Sequence, residues 1–272
     1  MTLQTALAQG AKLLNDAGIG APRLTAEVLL AHALRQERVY LIAHALDELT
    51  EVGWIHYGRY LHERLKGKPT QYITKRQEFY GRNFYVAPGV LIPRPETELL
   101  VEAVLGRVRR GMRVLDVGTG SGCIGVTLAM EADLRVAGVD VMMAALLISR
   151  RNGPPAGMGL VQGDLASCFG DGVFDVVVSN PPYVPEGDRA GLEVEVREWE
   201  PATALFAGAD GLAVYRRLIP EAWRVLKAGG LLAMEVGFGQ AEGILGLLAG
   251  WEGVEVLADL AGIPRVVVAR RG

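Results

Sequence analysis

A glycine-rich turn and three aspartates set the first chemical question in this chain. Residues 112–130 read MRVLDVGTGSGCIGVTLAM, an apolar stretch passing through Gly118, Thr119, Gly120, Ser121 and Gly122 into a helical pattern. Glycines there allow a tight turn and let a ligand reach the N–H groups left free at a helix N-terminus. Gly120 to Gly125 fits G-x-G-x-x-G, a weak signal by itself because such turns are common after a first strand. Asp140 lies 18 residues beyond Gly122, at the end of the next strand candidate. A carboxylate at that place can accept hydrogen bonds from both ribose hydroxyls of an adenosine-containing cofactor; the plainer reading is a strand-end cap. Asp116 precedes the turn, and Asp164 sits in Gly163-Asp164-Leu165 after a third strand candidate. A carboxylate beside the turn suits a positively charged methionine amino group and would repel a pyrophosphate. Asp164 suits an adenine amino group or, equally, a turn cap. Between a nicotinamide dinucleotide and S-adenosylmethionine, three acids around one crevice favour the cationic sulfonium compound.

A second stretch, FDVVVSNPPY at residues 174–183, ends a buried strand in an amide, two prolines and a tyrosine. Pro181 and Pro182 suffice to stop a strand, because neither donates to a ladder. On that reading Asn180 and Tyr183 are incidental. Metal chemistry is not expected. Cys123 and Cys168 are 45 positions apart, and His32, His44, His56 and His62 do not share a helical face or a ligand spacing.

These residues need elements to hold them. Arg113 to Val117, Arg135 to Val139, Gly159 to Val161, Phe174 to Ser179 and Leu231 to Val236 read as strands separated by helical segments. Val254 to Ala258 and Arg265 to Ala269 follow with no room for a helix between them, as an antiparallel pair. The pattern predicts a doubly wound, mostly parallel seven-stranded α/β sheet, preceded by a helix running from Glu96 through ETELLVEAVLGRV. Earlier in the chain, Leu3, Leu7, Ala11 and Leu14 recur on one helical face, Pro22 marks a second helix start, and a third helix covers about residues 48–66. The expected organisation is a helical domain over 1–75, a β-hairpin linker over 76–93 and an α/β domain over 94–272. Half of the 272 residues are hydrophobic, and 28 basic against 31 acidic residues give a net charge of −3. A chain that binds nucleic acid mainly through phosphates carries a basic excess, so no stable nucleic-acid partner is expected. With no leader-like N-terminus and no apolar run of about 18–20 residues, a cytoplasmic protein without a membrane partner is expected.

DVGTGSG followed by Asp140, GDL and NPPY resembles a class I S-adenosylmethionine-dependent methyltransferase. NPPY after the fourth strand is similar to the motif of enzymes that methylate planar nitrogens: adenine-N6 DNA, guanine-N2 RNA and protein-glutamine methyltransferases. Four further stretches, LIPRPETELLV (91–101), EVREWEPATALFAGADGLAVYRRLI (195–219), AGGLLAMEVGFGQ (228–240) and DLAGIPRVVVAR (259–270), resemble the bacterial release factor glutamine methyltransferases. The resemblance runs from about residue 69 to the end, and the N-terminal helical domain fits it. It implies methyl transfer from S-adenosylmethionine, leaving S-adenosylhomocysteine, to the amide nitrogen of the glutamine in the Gly-Gly-Gln loop of peptide chain release factors. The helical domain is implied to help grip that substrate. Gly118 to Gly122, Asp140, Asp164, Leu165 and Asn180 are implied to bind the cofactor. Asn180, Pro181, Pro182 and Tyr183 are implied to bind the glutamine, with Asn180, Pro181 and Tyr183 carrying the catalysis. Arg94, Glu96 and Thr97 of RPETE, with Asp116, belong near the cofactor. Two features depart from the family: Val141-Met142-Met143 follow Asp140, and Leu165 stands where some members place an aromatic over the adenine. The alternative within the same chemistry is an amino-group methyltransferase of nucleic acid, adenine-N6 or guanine-N2.

Overall fold

The computed structural model describes residues 1–153 and 157–272, which divide into two compact units. The first takes in Met1–Arg76 together with Glu193–Trp199. Its helices are Leu3–Asp16, Pro22–Leu34, Arg38–Ala43, Glu51–Leu65, Thr70–Thr74 and Val194–Trp199. The first and fourth start on hydroxyl caps: Thr2 Oγ1 accepts from Thr5 N, and Thr50 Oγ1 from Gly53 N, which satisfies donors a helix leaves orphaned. The predicted face of Leu3, Leu7 and Leu14 is buried, and it meets Leu29, Leu30, Tyr57 and Leu61 in one core. Arg64 pairs with Glu195 at 2.7 Å, and Lys68 lies 5.8 Å over the Trp199 ring. Within this unit His44 bonds Asp47 at 2.7 Å, and His32 and His56 pack on Tyr60.

The second unit opens with the hairpin β1 (Gln77–Phe79) and β2 (Arg82–Phe84), antiparallel. Its two-residue turn holds Tyr80 and Gly81 both at positive φ, the geometry of the turns whose twist matches a hairpin. The main sheet follows: β3 (Arg113–Val117), β4 (Arg135–Asp140), β5 (Gly159–Gln162), β6 (Phe174–Ser179), β7 (Leu226–Glu235), β8 (Glu252–Ala258) and β9 (Pro264–Arg270). Their order is β5-β4-β3-β6-β7-β9-β8. β3 to β7 are parallel, while β9 is antiparallel to both β7 and β8. The seven-stranded, mostly parallel sheet expected from sequence is therefore present, with its antiparallel terminal pair. Alternate side chains feed two cores. Val114, Val136, Val176, Val178 and Val268 face the helices Glu98–Leu105 and Cys123–Ala132; Leu115, Val139, Val177, Leu232 and Val267 face Ala213–Val225 and Ala241–Leu247.

Two local expectations change. No helix separates β5 from β6; residues 163–173 form turns. Gly163, Gly170 and Gly172 weaken any helix there, and side chains from the helix Ala213–Val225 satisfy the segment's backbone instead. Arg224 donates to the carbonyls of Phe169 (2.7 Å) and Ala166 (3.0 Å), and Glu221 accepts from Ala166 N at 2.8 Å. The helix predicted from Glu96 begins as a 3₁₀ turn, Pro95–Thr97, becomes α-helical over Glu98–Leu105 and ends at Gly106. Arg94 is extended, as the residue before a proline prefers.

Chain order leaves β3 for β4 and β5, then returns to β6 on the other side of β3. This reversal opens a crevice beyond the carboxyl ends of β3 and β6, the place where doubly wound sheets take ligands. The glycine turn leaves β3 there, and Asn180 leaves β6.

Candidate active site

The turn is held from below by β4. Gly118 N and Thr119 N both donate to the Val139 carbonyl, at 2.9 and 3.0 Å. Gly118, Gly120 and Gly122 have φ of 70°, 54° and 82°, a region in which a side chain is strained. At Gly122 space is also closed: a Cβ would stand 2.5 Å from Ser149 Oγ. Asp140 grips the turn and the next helix together. Its Oδ2 accepts from Gly120 N and its Oδ1 from Met142 N, both at 2.9 Å. Each carboxylate oxygen keeps a second lone pair for another donor.

A cavity of about 240 Å³ fills the crevice. Gly118, Thr119, Gly120 and Ser121 form one wall, and Asp140, Val141 and Met142 another. Asp164, Leu165, Arg94, Thr97, Asn180 and Pro182 complete the lining. Asp164 is ion-paired with Arg217 at 2.6 Å, both side chains more than half exposed. Leu165 adopts φ 51°, a strained conformation for a leucine.

Asp116 lies elsewhere. It is fully buried beneath the turn, where Oδ2 accepts from Thr119 Oγ1 at 2.7 Å and Gly125 N at 3.0 Å. Burial pushes its carboxyl up to about 6. Glu96 is exposed and Pro181 buried; neither lines the cavity. Tyr183 also stays outside the lining. Its ring packs on the core under β6 and β7, its carbonyl accepts from Gln240 Nε2 at 2.8 Å, and burial pushes its phenol up to about 12.

Two buried acids at this edge escaped the sequence reading. Glu200 accepts from Arg94 at 2.5 Å and from Ile92 N at 3.1 Å, tethering RPETE from behind; burial raises its pKa, and Arg94 works against that rise. Glu235, the last residue of β7, is 3% exposed. Burial pushes it up to about 7, and Thr97 and Asn180 beside it work against that rise. The available signal was an acid embedded in the apolar run LLAMEV, which a buried strand carries only at a cost. Asn180 Nδ2 in turn donates to Thr97 Oγ1 at 3.2 Å.

With this geometry in view, the likeness to known proteins becomes informative. The PrmC N-terminal domain family matches residues 5–74, and the methyltransferase small domain family matches residues 95–196. A release factor glutamine methyltransferase of Koribacter versatilis is 44% identical over 277 residues, covering 100% of this chain and 99% of that protein. One from Nitratidesulfovibrio vulgaris is 41% identical, covering 99% of this chain and 95% of its own. Among solved structures, the E. cuniculi Mtq2–Trm112 complex, responsible for methylation of the eRF1 translation termination factor, superposes with a TM-score of 0.51 at 24% identity. That match covers 67% of this chain and 99% of the other, and it supports the sheet architecture alone. End-to-end identity at this level, on a methyltransferase sheet with its glycine turn and NPPY loop at one edge, means that the chain belongs to the release factor glutamine methyltransferase family.

Proposed function

We propose that this enzyme transfers a methyl group from S-adenosylmethionine to the side-chain amide nitrogen of the glutamine in the Gly-Gly-Gln loop of peptide chain release factors. The observation that carries the reading is Asn180 lining the same cavity as the glycine turn and Asp140. The cavity fits the cofactor's chemistry. A glycine wall admits close backbone approach, Asp140 offers free lone pairs to two ribose hydroxyls, and Val141, Met142 and Leu165 give aliphatic surface for an adenine in place of an aromatic. Asp164, whose Oδ2 holds Arg217, offers its other oxygen to the adenine amino group. Asp116 acts from beneath, by bracing the turn. When bound, S-adenosylmethionine supplies an electrophilic methyl on sulfur.

The chain's own residues do the positioning. An amide nitrogen is a poor nucleophile, because its lone pair is delocalised into the carbonyl. Asn180 Oδ1 and the Pro181 carbonyl accept hydrogen bonds from the glutamine –NH2, hold the nitrogen in line with the methyl, and favour its more tetrahedral transition state. Pro181 and Pro182 keep the loop stiff. Tyr183, packed on the core, supports the loop from behind. As the N–C bond forms and the S–C bond breaks, the nitrogen becomes acidic and its proton passes to water, so no general base is required beforehand.

In the helical unit Val39, Ile42 and Leu46 are 70%, 80% and 77% exposed, an apolar surface suited to gripping a protein substrate. Among the described residues no helix is long and apolar enough to cross a membrane; an enzyme of release factors works in the cytoplasm, where translation ends. Among the same residues no cluster of His, Cys, Asp and Glu is arranged for a metal, and the reaction as written uses none. Calorimetry with S-adenosylmethionine and with NAD tests the cofactor. Binding of NAD alone would reject it. A labelled-methyl assay offering release factor and tRNA together tests the acceptor, and label on tRNA alone would favour the nucleic-acid alternative.

A further inference from the structure

Asn180 presents a chemical ambiguity that its own loop does not resolve. A side-chain amide has an oxygen end and an –NH2 end of nearly equal size. Only the oxygen end can accept a hydrogen bond from the target nitrogen. With the –NH2 turned toward the cavity, Asn180 would face the target with donors against donors. Something behind the residue must therefore fix the flip.

Glu235 is placed to do this. It closes β7, next to β6 in the sheet and level with its end, since Ser179 pairs with Met234. Its carboxylate faces the Thr97 hydroxyl and the Asn180 amide, both of which favour its charged form. Thr97 Oγ1 is also the acceptor for Asn180 Nδ2 at 3.2 Å. An ionised carboxylate can only accept. With Thr97 turning its one proton toward Glu235, the hydroxyl oxygen is left as the acceptor it is observed to be for Asn180. Both partners behind Asn180 thus demand N–H, and Oδ1 is left for the cavity.

The carboxylate is an expensive way to obtain this. Glu235 is almost fully buried, and its Oε2 has no hydrogen-bond partner among the described residues. Around it stand Arg265 from β9, Glu96 before the helix Glu98–Leu105, Tyr183 after β6, Tyr215 on the helix Ala213–Val225 and Cys123 at the glycine turn. Arg265 favours its charge and Glu96 opposes it, while Arg265 is itself paired with Asp259 at 3.0 Å. A group kept ionised there without a close cation costs stability, and a chain selected for stability alone would carry an apolar residue.

We propose that Glu235 is a positioning residue for methyl transfer: through Thr97 and directly, it locks the Asn180 amide with its oxygen toward the acceptor nitrogen. The proposal rests on the Asn180 role given above. It holds for any amino-nitrogen acceptor, so the substrate reading can fail without it. Glu235→Gln is the sharpest variant, because it keeps the shape and substitutes a donor-bearing amide for the acceptor-only group. Kinetics should be measured from pH 6 to 9 with labelled S-adenosylmethionine, on a release factor and in parallel on an adenine-containing oligonucleotide.

Glu235→Gln is expected to lower kcat by about 10- to 100-fold, to leave S-adenosylmethionine binding by calorimetry within about threefold, and to unfold no earlier than the parent. The parent's kcat should fall below about pH 7 as Glu235 protonates, and that acid limb should vanish in the variant. Thr97→Val should slow turnover similarly, and Thr97→Ser, which keeps the hydroxyl, should recover most of the loss. Unchanged kcat with the same acid limb would overturn the proposal. So would a loss of turnover matched by equal loss of cofactor binding and of thermal stability, which marks a structural role. Label appearing only on the oligonucleotide would reject the release factor reading, while the same comparison of variants on that acceptor would still decide the role of Glu235.

Discussion

Asn180 and Asp140 illustrate how little of a side chain's work is visible in its letter. Asp140 is both the strand-end cap and a cavity wall, since its two oxygens already hold Gly120 and Met142 and still have lone pairs to offer. Asp140→Ala is therefore expected to weaken S-adenosylmethionine binding at least about tenfold and to cost about 1–2 kcal/mol from the lost caps. Calorimetry and denaturant unfolding would separate the two effects. Asn180→Ala is expected to lower kcat by about 100-fold or more while circular dichroism and melting remain near the parent's, because its side chain is only half-buried and its protein contacts lie in one small network. Parent-like turnover in Asn180→Ala would remove the residue from the chemistry. The residue types at this edge were legible in the sequence, yet which acid faces the cavity was not. Asp116 precedes the glycine turn directly in sequence and Asp140 ends the following strand, but Asp116 lies within β3, with its side chain directed under the turn toward Gly125. Glu200 was silent, because it acquires meaning only from Arg94, 106 residues away, while Glu235 showed only as an acid in an apolar run, its role depending on Thr97 and Asn180 from other elements.

At the scale of elements, the central strands could be read because burial on both faces produces continuous valine and leucine runs. Residues 163–173 could not, since their backbone is satisfied by Arg224 and Glu221 from a distant helix, a tertiary solution that leaves no local pattern. The glycine turn carries the clearest element-scale expectation. Gly122→Ala places a Cβ 2.5 Å from Ser149 Oγ at φ +82°. It should destabilise by about 1–3 kcal/mol and reduce cofactor affinity, read from the denaturant midpoint and calorimetry. Gly187→Ala, where no atom lies within 4 Å of the added Cβ, should stay within about 0.5 kcal/mol.

For the whole molecule, buried acids tie stability to pH. Asp116 is pushed up to about 6 and Glu235 up to about 7, so between roughly pH 4 and 7 the folded chain binds more protons than the unfolded one. Their contribution to stability is present at low pH and is lost as pH rises through that window. His32, whose pKa burial lowers, works in the opposite sense. Glu235→Gln should remove part of the decline, so that its melting temperature exceeds the parent's at pH 8 by more than at pH 5. A variant that melts earlier than the parent at pH 8 would contradict this. In the helical unit, Val39→Asp with Ile42→Asp should raise the KM for intact release factor several-fold while leaving S-adenosylmethionine binding unchanged, if that apolar surface grips the substrate. Val39 and Ile42 lie on the short helix Arg38–Ala43, which is too brief to leave a periodic pattern in the sequence. The most direct measurement is peptide mass spectrometry of a release factor incubated with this enzyme and S-adenosylmethionine. A gain of one methyl on the glutamine of the Gly-Gly-Gln loop, abolished by Asn180→Ala, is expected; an unmodified glutamine alongside methylated nucleic acid would contradict the assignment.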